Sequence, residues 1–469
     1  MASTTRFEQR SPMPVSAAEL FAWHMRPKAF VRLTPPWQDV RLEVDPGPMR
    51  VGAEPIISVP IVGPFRKRWH ARITEIDEGA GFVDEQVSGP FGSWRHAHRF
   101  EADSSVGGTE DRCALVDRVD YRLPFYPFGQ VAAGPIRRDL ERLFAHRHRR
   151  TLSDLRRHLD DGPRDAEGRP RSLRVAITGA SGLVGTQLEA FLFTGGHEVR
   201  RLVRREPAPG SNEFCWDPAA GTVDPAALEG VDAVVHLAGS TVNQRWDAAG
   251  KASILNSRVQ GTTTIAEAIA AMDTPPAVLV SASGTGYYGH RDAIVGEDAP
   301  QGEGFLAEVA GAWEASTAAA SEAGVRVVRA RLAVVLTPAG GALEQMLGVF
   351  RMGLGGPLGG GQQGFSWVSL DDAIGGMYRA ISDDQIRGAI NLAGPEMVTQ
   401  REFAKTLGSV LGRPAFFPVP AGLLRAALGE MSAALLEGVR ATPDTLTRVG
   451  YRFEAPTLRD CLRQGLGLA

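Results

Sequence analysis

Cysteine is nearly absent from this chain: Cys113, Cys215 and Cys461 stand far apart among 469 residues. The number is odd and no Cys-x-x-Cys occurs. The sequence therefore supports neither a disulfide framework nor a zinc ribbon, and a reducing compartment fits best. A dominant charge is lacking too. Fifty-one basic and 54 acidic residues leave a net charge of −3, so no global field draws the chain to nucleic acid or to a membrane surface. No uncharged apolar run reaches the ~18 residues of a membrane span. Met1 to Pro14 carries charges and prolines where a signal peptide needs an apolar core. A cytoplasmic chain is the expectation. His96-x-His98 and His146-x-His148 have no nearby Cys or acid partners in a metal-ligand pattern, so no metal is expected.

The composition present is that of a globular protein, with 43% hydrophobic and 22% charged residues. The length exceeds one ordinary domain. Residues 160–171 have no apolar period and are rich in glycine, proline and charge, so they read as a linker. The expected division is 1–159, the linker 160–171, an α/β unit over 172–417 and a helical segment over 418–469.

Directly after the linker comes Arg174-Val175-Ala176-Ile177-Thr178-Gly179-Ala180-Ser181-Gly182-Leu183-Val184-Gly185. A short apolar run, read as a buried parallel strand, ends in a glycine turn that opens an amphipathic helix. Gly179 suits the tight turn, Gly182 lets a pyrophosphate approach the main chain, and Gly185 lets helix and strand pack closely. The helix start would present unpaired N–H groups to the phosphates. Ser181, Leu183 and Val184 belong to the same loop. Strands are expected at Arg174–Thr178, Glu198–Val203, Ala233–Leu237, Ala277–Ala282 and Val325–Leu332. Helices lie between them, notably Lys251–Met272 and Leu306–Ala323. This alternation is that of a doubly wound parallel sheet, a Rossmann architecture. At the end of its second strand, where a carboxylate would select NAD, stand Arg204 and Arg205. An arginine there suits the extra phosphate of NADP, which is therefore the cofactor expected.

The first 159 residues read differently. A strand near Phe7–Arg10 and a helix from Ala17 to about His24 precede short runs at Val40–Val44, Ile56–Val62, Trp69–Ile76, Gly81–Val87, Trp94–Glu101 and Cys113–Leu123. Several alternate with the period of half-buried antiparallel strands. A long helical pattern follows Pro135 to about Leu159. Its many arginines read as a solvated face opposite Leu140, Leu143, Leu152, Leu155 and Leu159. This α+β order resembles the helix-grip fold of START-like and polyketide-cyclase-like ligand-binding proteins. The resemblance implies a cavity for a small lipophilic ligand.

The glycine loop, His236-Leu237-Ala238-Gly239 and Tyr288-Gly289 together resemble the extended short-chain dehydrogenase/reductase superfamily. Further segments resemble its atypical, nucleotide-sugar-epimerase-like branch. They include Arg245-Trp246, Ser257-Arg258-Val259, Gly286-Tyr287-Tyr288-Gly289, Phe365-Ser366-Trp367-Val368, Asn391-Leu392-Ala393-Gly394-Pro395 and Leu428-Gly429-Glu430-Met431. The resemblance spans about Leu173 to Gly467. It implies that Leu237, Ala238 and Gly239 join the glycine loop in holding the cofactor.

The superfamily's Tyr-x-x-x-Lys pair, whose tyrosine is the general acid/base, is missing. Counting back from Glu314, its places hold Leu306 and Ala310. The usual Asn place holds Arg258, and the Ser place falls at Ser283 or Gly284. Tyr287, Ser283 and Arg258 are the candidates to replace the lost chemistry. Arg258 could polarise a carbonyl or form an internal ion pair. Lys251 reads as a surface residue, and Asp371-Asp372 as an N-cap. Two functions follow. One is NADP-dependent hydride chemistry, as a reductase or epimerase, on a small carbonyl or alcohol. The other is a non-catalytic NADPH-sensing module that also binds a lipophilic ligand. The sequence leaves the oligomeric state open.

Overall fold

The structure, a computed structural model, describes residues 4–62, 65–102, 112–124 and 131–468. The chain divides into two compact units, with the main boundary between Asp160 and Asp161. The first contains β1 (Thr5–Met13), α1 (Ala17–Met25), α2 (Ala29–Leu33), β2 (Arg41–Val44), β3 (Ile56–Val62), β4 (Phe65–Asp77), β5 (Gly81–Ser88), β6 (Ser93–Ala102), β7 (Cys113–Arg122) and α3 (Ala133–Asp160). The strands form one antiparallel sheet in the order β1-β7-β6-β5-β4-β3-β2.

Alternation decides which face of this sheet is inside. Trp94, His96, His98 and Phe100 of β6 are buried at successive even positions, opposite Tyr121, Val119, Asp117 and Leu115 of β7. Leu140, Phe144, His148 and Leu155 of α3 are buried with them. Two apolar clusters result, one around Trp23, Phe82, Phe100 and Leu155, the other around Phe7, Trp94, Tyr121 and Phe144. Each fully buried side chain of this size contributes about 1.5–3 kcal/mol. Between these clusters lie histidines and aspartates. Helix α2 carries no sequence signal because five residues cannot show a helical period. It follows Lys28, the one non-glycine residue with a left-handed φ (66°) among the described residues. Its Arg32 makes a buried bidentate pair with Asp154 of α3, at 2.8 and 2.6 Å.

The second unit begins with β8 (Arg174–Thr178), α4 (Leu183–Thr194), β9 (Glu198–Val203), β10 (Glu213–Asp217), β11 (Thr222–Val223), β12 (Ala233–His236), α5 (Ala248–Ala270), β13 (Val278–Gly284) and the short β14 (Ile294–Val295). It continues with α6 (Phe305–Ala315), α7 (Ala318–Glu322), β15 (Arg326–Leu332), β16 (Val334–Leu336), α8 (Gly341–Arg351), β17 (Gly364–Phe365), β18 (Trp367–Ser369), α9 (Leu370–Ser382) and β19 (Gly388–Leu392). It ends with β20 (Val398–Thr399), α10 (Gln400–Leu411), α11 (Ala421–Leu428), α12 (Ala433–Leu436), β21 (Arg440–Ala441), α13 (Asp444–Arg448) and α14 (Leu458–Gly465).

Eight strands form the main sheet, in the order β11-β10-β9-β8-β12-β13-β15-β19. All pairs are parallel except β10 with β11. From β8 the chain winds outward through β9, then returns to build the other half from β12. The strand order switches between β8 and β12, and such sheets bind ligands outside the carboxyl ends of the strands at this point. The doubly wound sheet and the antiparallel α+β unit before it are thus both present.

Several elements depart from the sequence expectation. The strands β10, β11 and β19 lie outside the expected set; β11 has only two residues, and β10 and β19 carry charged or polar residues among their apolar ones. The helix expected over Leu306–Ala323 breaks into α6 and α7, because the hydroxyls of Ser316 and Thr317 donate to the carbonyls of Ala312 and Glu314 at its break. The segment after Pro418 contains β21 as well as helices, and β21 pairs in parallel with β14. No helix among the described residues is long and apolar enough to cross a membrane.

Candidate functional site

The glycine loop follows β8. Gly179 has φ 71°, which a side chain would strain, and a Cβ there would lie 2.8 Å from the Leu237 carbonyl carbon. A Cβ on Gly185 would lie 2.2 Å from the Gly179 oxygen, so helix and turn touch through it. Gly182 differs, because a Cβ there would meet nothing closer than the Gly179 oxygen at 3.3 Å. It is exposed beside the start of α4, where backbone can approach an anion. Ser181 and Gly182 are exposed, while Leu183 and Val184 are half-buried at the first turn of the helix. Thr186 Oγ1 donates to the Ala180 carbonyl at 3.1 Å and fixes the loop's inner end.

A buried hydroxyl joins the two central strands. Thr178 Oγ1 lies 2.7 Å from His236 Nδ1 and accepts from the N–H groups of Leu237 and Ala238 at 3.2 and 3.3 Å. Burial pulls the His236 imidazole down to about 4, so it is neutral at ordinary pH. Leu237 follows the last residue of β12. Leu237, Ala238 and Gly239 form the turn facing the glycine loop across the switch. A Cβ on Gly239 would lie 3.4 Å from Cζ of Arg258.

At the end of β9 the two arginines have different surroundings. Arg205 donates to Glu213 Oε1 at 2.6 Å and to the Glu206 carbonyl. Arg204 is exposed and forms no ion pair among the described residues. Its guanidinium is available to a phosphate, whereas that of Arg205 is engaged.

The candidate catalytic residues are held in ways their sequence positions do not reveal. Ser283, 3% exposed, lies next to the end of β13, with Oγ donating to Glu314 Oε1 at 2.8 Å. Glu314, on α6, forms a bidentate pair with Arg331 of β15 at 2.7 and 2.9 Å. Arg331 also donates to the Tyr288 hydroxyl at 2.8 Å and the Glu297 carbonyl at 3.0 Å. Tyr288 donates in turn to Asn391 Oδ1 at 2.8 Å. Burial opposes the charge on Arg331, but Glu314 and Tyr288 more than offset it, and its pKa is raised. Burial raises the Tyr288 phenol, against the influence of Arg331.

Tyr287 is the tyrosine whose hydroxyl this network does not engage. Its ring lies under Arg331, with Cζ 3.6 Å from the centroid, and it remains half-buried. Arg258 departs from the internal ion-pair reading. Its Nη1 donates to the carbonyls of Ser240 and Ile254, both at 3.0 Å, and its guanidinium covers Trp313 at 4.8 Å. Burial lowers its pKa to about 10. It braces the turn after Gly239 and the start of α5.

Lys251, partly exposed, pairs with the exposed Glu430, in keeping with the surface reading. One reading is revised. The N-cap of α9 is Ser369, not Asp371 or Asp372: its Oγ accepts from the Asp372 N–H at 2.9 Å. Asp372, buried, instead accepts from the N–H groups of Glu454 and Ala455 at 2.8 and 3.1 Å and holds the C-terminal segment. Arg331 was not singled out from sequence; no local motif marks it, and its partner lies 17 residues away on another element.

Comparison with known proteins places these features in a lineage. A family model described as "NAD dependent epimerase/dehydratase family" matches residues 175–393. A second, "Domain of unknown function (DUF1731)", matches 419–464, and a third, "Polyketide cyclase / dehydrase and lipid transport", matches 13–149. An epimerase family protein of Mycobacterium tuberculosis is 44% identical over 291 residues, covering 61% of this chain and 96% of that protein. Human epimerase family protein SDR39U1 is 36% identical over 298 residues, covering 62% and 99%. Among solved structures, a nucleoside-diphosphate sugar epimerase from Corynebacterium glutamicum aligns over 98% of this chain and 90% of its own, with TM-score 0.78 and 31% identity. Human SDR39U1 (isoform 2) with NADPH aligns over 63% and 99%, with TM-score 0.58 and 35% identity.

Proposed function

The chain belongs to the epimerase family of the short-chain dehydrogenase/reductase superfamily, with a polyketide cyclase-like domain at its N-terminal side, and on that footing we propose that it binds NADPH and performs hydride chemistry on a small carbonyl or alcohol. The observation that carries the cofactor half is a pairing: Gly182 is exposed beside the start of α4, and the exposed Arg204 forms no ion pair among the described residues. The human relative solved with NADPH supports the choice of dinucleotide. The pyrophosphate would rest on the N–H groups of Ser181 to Val184, with Leu237, Ala238 and Gly239 opposite. Arg204, assisted by Arg205, would hold the 2′-phosphate. NADPH supplies a hydride to a carbonyl carbon, and a proton must reach the oxygen.

Tyr287 is the residue proposed to supply that proton. The hydroxyls of Ser283 and Tyr288 are already donated to Glu314 and Asn391. The Arg331 guanidinium lies against the Tyr287 ring, 3.6 Å from its centroid, and holds it in place beside this network. Arg258 acts by shaping the turn after Gly239. The substrate is a small molecule, and the polyketide cyclase-like domain takes a lipophilic ligand. The three free cysteines fit a reducing, cytoplasmic setting.

Titration with NADPH and NADH, read by nicotinamide fluorescence, tests the cofactor. Arg204→Ala should weaken NADPH by about 10- to 100-fold, the size of one charge-assisted phosphate contact, and leave NADH unchanged. Equal losses for both dinucleotides would remove the phosphate assignment. A second reading, a non-catalytic NADPH sensor, is favoured by the engagement of Ser283 and Tyr288 within a structural network. A carbonyl panel separates the two. NADPH oxidation that is abolished in Tyr287→Phe supports the enzyme, and tight binding with no oxidation by any compound supports the sensor.

A further inference from the structure

In the first unit, the buried face of the antiparallel sheet carries a cluster of histidines and carboxylates that its apolar surroundings do not explain. His96 and His98 alternate on β6, so both rings project from one face, with centroids 3.8 Å apart. Asp84 of β5 is the register partner of His96 and projects from the same face. Its Oδ2 lies 3.3 Å from His96 Nδ1 and 3.5 Å from His98 Nε2. These three ligand atoms all lie within 4.8 Å of one another.

Two distance classes meet here. On the far side, His96 Nε2 donates to Asp117 Oδ1 at 2.9 Å, a good hydrogen bond. His98 Nδ1 is 2.8 Å from the same oxygen, though out of hydrogen-bond alignment, and its ring is fixed by stacking on Phe82 at 4.0 Å. On the near side the separations are too long for strong hydrogen bonds. They match the edge of a tetrahedron: two ligand atoms about 2.0–2.1 Å from one ion lie about 3.3 Å apart.

We propose that Asp84, His96 and His98 bind a divalent transition ion of the zinc class, with Asp117 as the carboxylate behind the ligands. A proton held on His96 Nε2 by Asp117 leaves the Nδ1 lone pair aimed at the ion, the arrangement by which carboxylates orient metal-binding histidines. Asp117 is itself positioned: His148 of α3 contacts its Oδ2 through Nε2 at 2.8 Å, and His148 Nδ1 contacts Ser11 Oγ at 2.9 Å. Two neutral imidazoles and one carboxylate suit zinc, cobalt or iron, and disfavour calcium and magnesium, which prefer oxygen ligands. Three protein ligands leave a fourth position for water or another donor, and the Asp84 side chain is 20% exposed. Charge alone does not select the ion. Two added protons would balance Asp84 and Asp117 equally well, and Arg147 of α3, which interacts with both carboxylates, adds one charge in either case.

The full-length chain, stripped with chelator and dialysed, is titrated with Co²⁺ and then challenged with Zn²⁺. The site predicts visible d–d absorption that saturates at one equivalent and is discharged by one equivalent of Zn²⁺. Asp84→Asn and His98→Gln, both close in shape, should each lower the affinity at least about tenfold while preserving the near-ultraviolet circular dichroism. Absence of saturable cobalt absorption in the wild-type chain overturns the site whether or not the variants fold. So does wild-type affinity in both folded variants, which would place the ion elsewhere.

Discussion

Removing Glu314 tests whether the network behind the candidate active site is structural. Glu314 and Arg331 are 6% and 3% exposed, so Glu314→Ala leaves a guanidinium buried without its counter-charge. Breaking a buried pair at one partner costs about 3–5 kcal/mol. Arg331 retains two acceptors, the Tyr288 hydroxyl and the Glu297 carbonyl, which puts the cost at the lower end, about 3 kcal/mol. Because the chain has two units, one global unfolding free energy is poorly defined, and a local readout is preferable. Hydrogen exchange of the peptides covering Val278–Gly284 and Arg326–Leu332 reports opening of the two strands that carry Ser283 and Arg331. A loss of about 3 kcal/mol corresponds to roughly 10²-fold faster exchange there. Replacing both partners by apolar residues, Glu314→Leu with Arg331→Met, should recover most of it, since no charge is then stranded. Ser283→Ala removes one donor and should cost about 1 kcal/mol while sparing any NADPH oxidation. Exchange in Glu314→Ala within about fivefold of wild type would refute the argument. So would a double variant no more protected than the single one.

The glycine loop predicts a contrast between two small substitutions. Gly182→Ala should keep wild-type stability within about 1 kcal/mol yet weaken NADPH at least about tenfold, because its Cβ would stand on the exposed face of the loop with only the Gly179 oxygen, at 3.3 Å, within 4 Å. Gly185→Ala should destabilise the fold itself by about 2 kcal/mol or more, because its Cβ meets the Gly179 carbonyl. Thermal unfolding alongside NADPH titration separates them, and unaltered NADPH affinity in Gly182→Ala would move the phosphate site elsewhere. His236 makes the second unit acid-sensitive. Its folded pKa of about 4 lies below the unfolded value, so the unfolded chain binds the extra proton. The contribution is complete above about pH 6.5 and is lost as pH falls toward 4, amounting to about 2 kcal/mol by pH 5. Hydrogen exchange of the Ala233–His236 peptide between pH 7 and 5, corrected for intrinsic rates, checks this. An identical pH slope in His236→Asn would sink the assignment.

What could be read from the sequence was chemistry that local backbone performs. The strand–Gly179–Gly182–Gly185–helix segment folds within a dozen residues, and β8, α4 and β9 fall where the apolar pattern puts them. The antiparallel unit was legible for a related reason: alternation along each strand and the long closing helix survive without any knowledge of pairing. Chemistry assembled across elements was hidden. Asp84 and Asp117 lie 12 and 21 residues from His96 and reach it only through the registers of β5, β6 and β7. A spacing rule therefore finds two histidines and no acid. The same holds for Glu314 and Arg331, which meet because α6 packs beside the sheet containing β13 and β15. Their pairing also bears on the missing Tyr-x-x-x-Lys. The tyrosine place, Leu306, packs against Gly286, where an added Cβ would lie 3.1 Å from that of Leu306. A leucine thus occupies the position from which the usual acid would act, while a guanidinium from β15 lies over the neighbouring Tyr287 ring. If this family member transfers hydride, its proton donor has moved from a helix to the turn after a strand. Sequence inspection alone sees the vacancy at Leu306 and Ala310, but not the arginine that stands beside the replacement.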